Sequence, residues 1–187
     1  MKRFPITLLT LIILSSLVSC LKSEDPYKEY KDWLIANENW FNQQKLLKDE
    51  NGNAYYSVVS PDYDKSASVL MHWFNDRSKT QENLSPKYSS TVDVKYIGRI
   101  YTGEAFDSSF LSTSPADSIY RTKLTTVIDG WSIAIQQMHV GDSCRVIIPY
   151  NIAYGTNKKG EIILPFSMLQ FDIKLTGIPA YESKFTN

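Results

Sequence analysis

The stretch Thr125–Gly155, TTVIDGWSIAIQQMHVGDSCRVIIPYNIAYG, decides the fold. Val127 and Ile128 form a β-branched pair, which favours extended backbone. Asp129-Gly130 breaks that extension, with Asp129 a candidate helix N-cap. Trp131, Ala134, Ile135 and Met138 recur at i, i+3, i+4 and i+7, so the spacing predicts a short helix that Gly141 stops. Cys144 to Ile148 reads as a returning strand, and Tyr150 to Gly155 sets two tyrosines on a turn. One short helix is thus clasped between strands, with Trp131 on its first turn and the Tyr154 phenol on the loop beyond.

Outward from that stretch, the chain of 187 residues has room for one domain plus extensions. Twenty basic residues balance twenty acidic ones. No basic stripe or Lys/Arg run is present, which argues against a nucleic-acid partner. His72 and His139 lack companions at ligand spacing, so no metal site is expected.

Residues 1–19 read as a targeting leader. Lys2-Arg3 make a positive start, and the apolar run Ile6 to Val18 is shorter than the roughly 20 residues of a membrane-spanning helix. Leu17-Val18-Ser19-Cys20 resembles a bacterial lipobox, so the expectation is cleavage before Cys20 and lipidation of its thiol; an ordinary secretory signal is the alternative. Residues 20–25 would be a tether. With Cys20 acylated, Cys144 has no disulfide partner, and a small buried hydrophobe is its simplest reading.

Residues 26–90 read as an N-terminal helical and hairpin extension. Asp25-Pro26 is a helix start. Tyr27, Tyr30, Trp33, Leu34, Trp40, Phe41 and Leu47 keep helical spacing, with Asn37 interrupting the stripe, so two helices are allowed. A helix packed on the protein's own sheet is the expected use of such a stripe. Ala54–Ser60 and Ser68–Phe74 read as strands of a hairpin, and 75–90 as a polar loop. Residues 179–187 would be a tail.

The motifs of the opening stretch resemble those of the FKBP-type peptidyl-prolyl cis-trans isomerases: V-I-x-G-W, then M-x-V-G-D, then I-P-x-x-x-A-Y-G. Upstream, Val94 to Gly98 and Gly103 to Ser109 resemble that family's V-x-Y-x-G and G-x-x-F-D-S-S. Downstream, Ile162 to Pro165 and Leu169 to Leu175 resemble its I-I-P-P and L-x-F-x-x-x-L. Several motifs in one order, over 91–178, carry a specificity that none has alone.

The resemblance implies an α+β fold: a bent antiparallel sheet, a half-barrel, wrapping a short central helix. It implies isomerisation of X-Pro bonds in cell-envelope proteins without a cofactor. It assigns catalytic positions to Asp107, Tyr154, Tyr96, Phe106 and Trp131. Val127, Ile128, Ile163, Phe171 and Tyr120 become substrate-binding positions, with the Ile128 N–H a donor to ligand. The implied partners are proline-containing polypeptide clients, macrolide inhibitors, and a membrane reached through lipid on Cys20. The expected location is the Gram-negative envelope, at the outer membrane. A proline-binding chaperone or interaction lipoprotein with little turnover is the alternative reading.

Overall fold

The computed structural model describes residues 26–179. The leader, Cys20, the tether with Asp25, and 180–187 of the tail lie outside the described residues.

Among the described residues seven strands form one antiparallel, unclosed sheet. They are β1 (Ser57–Val59), β2 (Val69–Trp73), β3 (Thr91–Ile100), β4 (Ala105–Ser108), β5 (Tyr120–Lys123), β6 (Ser143–Ile148) and β7 (Leu169–Gly177). Their order is β1-β2-β6-β7-β3-β4. β5 shares the outer edge of β3 with β4: Val94 pairs with Tyr120, and farther along Ile97 pairs with Ser108. One long strand therefore carries two short ones, and the gap between them opens at Tyr96.

Strict alternation fixes which face is inside. β3 buries Val92, Val94, Tyr96, Gly98 and Ile100, and β7 buries Leu169, Phe171, Ile173 and Leu175. A short helix, α2 (Asp129–Ile135), lies in the concavity this face makes, and a longer one, α1 (Lys31–Leu46), precedes the sheet in the chain. Six of the seven residues of α2 are buried. Gly130 is what lets it come so close to β6, because a Cβ there would stand 2.2 Å from Ile148 Cγ2.

The helix differs from expectation at both ends. Ile128 is the N-cap and Asp129 the first helical residue, making no side-chain cap bond; its charge still complements the helix N-terminus. The helix stops at Ile135, well before Gly141. Gln137 N–H donates to Ala134 O and Met138 N–H to Ile135 O, so the chain tightens into three-residue turns. Met138 is buried from that turn. Gly141, at φ +100°, serves the next turn.

The N-terminal hairpin forms as expected, with Val58 opposite Leu70. It continues the sheet, because β2 pairs along β6 from Leu70–Ile147 to Trp73–Cys144. The preceding helix, α1 (Lys31–Leu46), is one uninterrupted element. Asn37 does not break it: its amide donates to Trp33 O at 2.9 Å and its Oδ1 accepts from Met168 N–H at 2.8 Å. Phe41, Tyr56, Leu70, Ile147 and Met168 form a second, smaller core. Leu70 and Ile147 are cross-strand partners on the convex face, so the sheet is apolar on both faces here and α1 covers the outer one. Trp33 packs on the main core and donates to Ser167 Oγ at 3.2 Å.

Candidate functional site

The concave face opens between β4, β5 and the start of α2 into a cavity of about 180 Å³. Tyr96, Phe106, Asp107, Tyr120, Thr126, Val127, Ile128, Trp131, Tyr154 and Phe171 line it. The floor is aromatic. Trp131 meets Tyr96 edge-on at 4.9 Å between ring centroids and Phe171 at 5.2 Å. Phe106 meets Phe171 at 5.5 Å. Such edge-to-face pairs set electropositive rims against ring faces and hold the walls in place. Gly98 makes room for them: a Cβ there would stand 2.7 Å from both Phe106 Cζ and Phe171 Cε1. Trp131 Nε1 is buried without a hydrogen-bond partner among the described residues.

The polar groups stand at the rim. Asp107, on β4, is exposed at the mouth of this apolar cavity. Its carboxylate accepts from Tyr96 Oη at 2.5 Å and from Ser108 N–H at 2.8 Å. Burial, then that bond to Asp107, pushes the Tyr96 phenol far above its ordinary value. Ser109 explains the second serine of the G-x-x-F-D-S-S segment: its buried Oγ accepts the Tyr96 N–H at 2.9 Å, which no strand neighbour reaches. Tyr154, after the 3-10 turn Tyr150–Ile152, reaches the other side of the cavity. Burial, then the Asp107 charge, raises its pKa too, so both phenols stay protonated at neutral pH. The Tyr154 hydroxyl and the Ile128 N–H have no partner among the described residues, and both belong to residues lining the cavity.

Of the residues expected from sequence, nine line this one cavity. The tenth, Ile163, is buried and lines the adjoining cleft with Phe106, Asp107, Tyr154, Lys159 and Glu161. Thr126 lines the main cavity and carried no sequence signal apart from its place before Val127-Ile128. Cys144 is remote from this chemistry. It is buried with its thiol 3.9 Å from Met138 Sδ, and burial pushes its pKa up to about 12. His139 packs against Asp142 at 3.7 Å, and His72 stacks on Tyr55.

This geometry can hold a compact apolar ring on Trp131 while two donors, a phenol and a backbone amide, meet a carbonyl above it. It presents no activated nucleophile, since the thiol is buried and the phenols are protonated.

Residues 82–176 match the sequence profile of the FKBP-type peptidyl-prolyl cis-trans isomerases. The chain is 36% identical over 121 residues to a macrophage infectivity potentiator of Trypanosoma cruzi, covering 65% of this chain and 59% of that one. It is 36% identical over 153 residues to the outer membrane protein MIP of Legionella longbeachae, covering 81% and 63%. The chain therefore spans less than two thirds of the length of these curated relatives. Among solved structures, a peptidyl-prolyl cis-trans isomerase from Pseudomonas syringae superposes with a TM-score of 0.61 at 28% identity, covering 80% of this chain and 95% of that one. FkpA from Escherichia coli gives 0.62 at 24% identity, covering 80% and 62%, a likeness of fold.

Proposed function

The chain belongs to the FKBP-type peptidyl-prolyl cis-trans isomerases, and from that premise we propose that the cavity over Trp131 catalyses rotation about X-Pro bonds. The observation that carries the proposal is an aromatic-floored cavity of about 180 Å³ at whose wall the Tyr154 hydroxyl and the Ile128 N–H stand without partners among the described residues. Amide resonance sets a barrier of roughly 18–20 kcal/mol to this rotation. Nothing has to be broken to cross it. The twisted amide has lost conjugation, and a site that binds it better than either planar form lowers the barrier.

The roles follow from position. Trp131, Tyr96, Phe106 and Phe171 receive the proline ring and exclude water. Tyr154 and the Ile128 N–H donate to peptide carbonyls and fix the chain on either side of the rotating bond. Asp107 holds the Tyr96 phenol, and its charge at the rim faces the amide whose carbonyl turns. Val127 and Tyr120 close the wall, and Ile163 extends it into the adjoining cleft. The same apolar ring seat suits macrolide inhibitors that mimic a proline amide.

The clients are proline-containing polypeptides of the Gram-negative envelope. The leader and Leu17-Val18-Ser19-Cys20 support a lipid anchor on Cys20 at the outer membrane, and the outer membrane protein MIP is a relative in keeping with that location.

The test is a proline-peptide assay. Uncatalysed cis-to-trans conversion takes tens to hundreds of seconds. The folded protein should shorten it in proportion to its concentration, with preference for an apolar residue before the proline. Binding of the peptide without acceleration would replace catalysis with a holding function. For the anchor, Cys20→Ala should release the protein from the membrane fraction; unchanged processing and fractionation would rule lipidation out as the anchor.

A further inference from the structure

The loop from β6 to β7 carries Tyr154 on its way out and returns to the sheet through Phe166, Ser167 and Met168. Each of these successive residues meets one residue of the N-terminal extension. Phe166 packs edge-on against Tyr27, with 5.2 Å between ring centroids. Ser167 Oγ accepts from Trp33 Nε1 at 3.2 Å, and Met168 N–H donates to Asn37 Oδ1 at 2.8 Å. The return limb is thus fastened residue by residue to 27–37, a segment that precedes the matched residues 82–176.

Phe166 is the anomaly in that limb. Its φ is +65°, in the left-handed region where a bulky side chain is an outlier. Such a conformation costs free energy and persists only where its surroundings over-determine it. Here the ring is held by Tyr27 and, edge-on at 5.4 Å, by Tyr150. The Phe166 N–H donates to Gly155 O at 2.9 Å, and the Gly155 N–H donates to Tyr150 O at 2.8 Å. Tyr150 and Phe166 therefore meet through their rings and both bond Gly155 through their backbones. Gly155 directly follows Tyr154, so this bracket fixes the backbone from which the Tyr154 phenol reaches the cavity.

We propose that Phe166 is a positioning residue for the Tyr154 hydroxyl and that Tyr27 of the extension keeps it in place; the proposal rests on the isomerase reading of the cavity. Phe166 is not among the residues lining the cavity. It acts on a bound peptide through Gly155 and Tyr154. A hydroxyl donor works only within hydrogen-bond reach, and a displacement of about 1 Å in such a group is costly to a reaction that depends on it.

The test is a double-mutant cycle in the full chain, with circular dichroism and melting run on every variant. Phe166→Asn removes the ring and installs a side chain that tolerates the left-handed conformation. It should lower kcat/KM for a proline peptide by about fivefold or more when Tyr154 is present, and by less than about twofold in a Tyr154→Phe background. A residue that only stabilised the fold would lower turnover alike in both backgrounds. Tyr27→Ala should repeat the pattern, and Tyr27→Phe, which keeps the ring, should turn over peptide like wild type. If Phe166→Asn does not fold, the Tyr27→Ala cycle decides alone. Absence of turnover in the wild type would sink the isomerase reading, and positioning is then judged without substrate: Tyr27→Ala should shift or broaden the Tyr154 ring resonances in proton NMR. Equal losses in both Tyr154 backgrounds, wild-type turnover by folded Phe166→Asn or Tyr27→Ala, or unchanged Tyr154 resonances in Tyr27→Ala would each overturn the proposal.

Discussion

At the scale of single residues, the cavity separates groups that shape it from groups that address the ligand. Gly98 belongs to the first kind, since its missing Cβ is what lets Phe106 and Phe171 close on Trp131. On the proposed mechanism Tyr154 and Asp107 belong to the second. Replacing either removes a polar group while leaving the aromatic floor intact. Tyr154→Phe and Asp107→Val should each slow peptide isomerisation by roughly five- to a hundred-fold, the equivalent of one polar interaction of about 1–3 kcal/mol. Circular dichroism should stay native for both. Wild-type turnover by Asp107→Val would reduce that residue to a turn-former bonded to Ser108 N–H. Because both phenols are held above their ordinary values, neither ionises near neutrality. The rate should accordingly stay flat between about pH 6 and 8, where a histidine-dependent reaction would change. A rate following a single ionisation in that range would point to a titrating group outside the cavity.

At the scale of elements, the sequence was legible wherever a residue's neighbours in the chain decide its place. The strands β3 and β7 follow their alternation, and the apolar stripe Trp131, Ala134, Ile135 and Met138 is buried as expected even though the helix ends at Ile135. Sequence reasoning failed where a distant segment decides. Asn37 looked like a break in a stripe, yet it is the helix residue that satisfies Met168 N–H across the second core. Nothing near Asn37 in the chain signals a partner 131 residues away. Thr126 was missed for a different reason: it sits in the chain between β5 and α2, and a threonine there carries no chemical signal of its own. Two substitutions test this account of α1. Phe41→Ala should cost about 3–5 kcal/mol, as for a buried aromatic truncated in a core. Asn37→Ala should cost about 1–3 kcal/mol by stranding a buried N–H. Urea unfolding measures both, and a near-wild-type midpoint for Phe41→Ala would mean that α1 is not held by this packing.

At the scale of the whole molecule, the loop joining the hairpin to β3 is fastened by one buried carboxylate. Asp142, fully buried, accepts from Asn75 Nδ2 at 2.9 Å, from His139 N–H at 2.8 Å and from Thr80 Oγ1. Arg77 Nε approaches it at 3.4 Å, and its Nη2 donates to Gln137 O at 2.8 Å. The aspartate of M-x-V-G-D thus ties 75–80 to the turn between α2 and β6, a role its motif alone did not disclose. Burial works to raise the pKa of Asp142, but the bonds from His139, Thr80 and Asn75 and the Arg77 charge prevail and hold it below the usual carboxylate value. The sign of the pH effect follows. The native state binds this proton less tightly than the unfolded chain does, so the stabilisation is complete above the ordinary carboxylate range and declines as pH falls through it toward the depressed native value. Asp142→Asn keeps the shape, removes the charge and turns an amide toward donors, and should cost about 2–3 kcal/mol at neutral pH, the scale of hydrogen bonds to a charged group. Its stability should also fall less steeply than that of wild type between about pH 5 and 3. Melting temperatures of both proteins across that range decide the matter. Parallel acid limbs would show that other carboxylates govern acid unfolding and that the Asp142 network holds the loop by geometry alone.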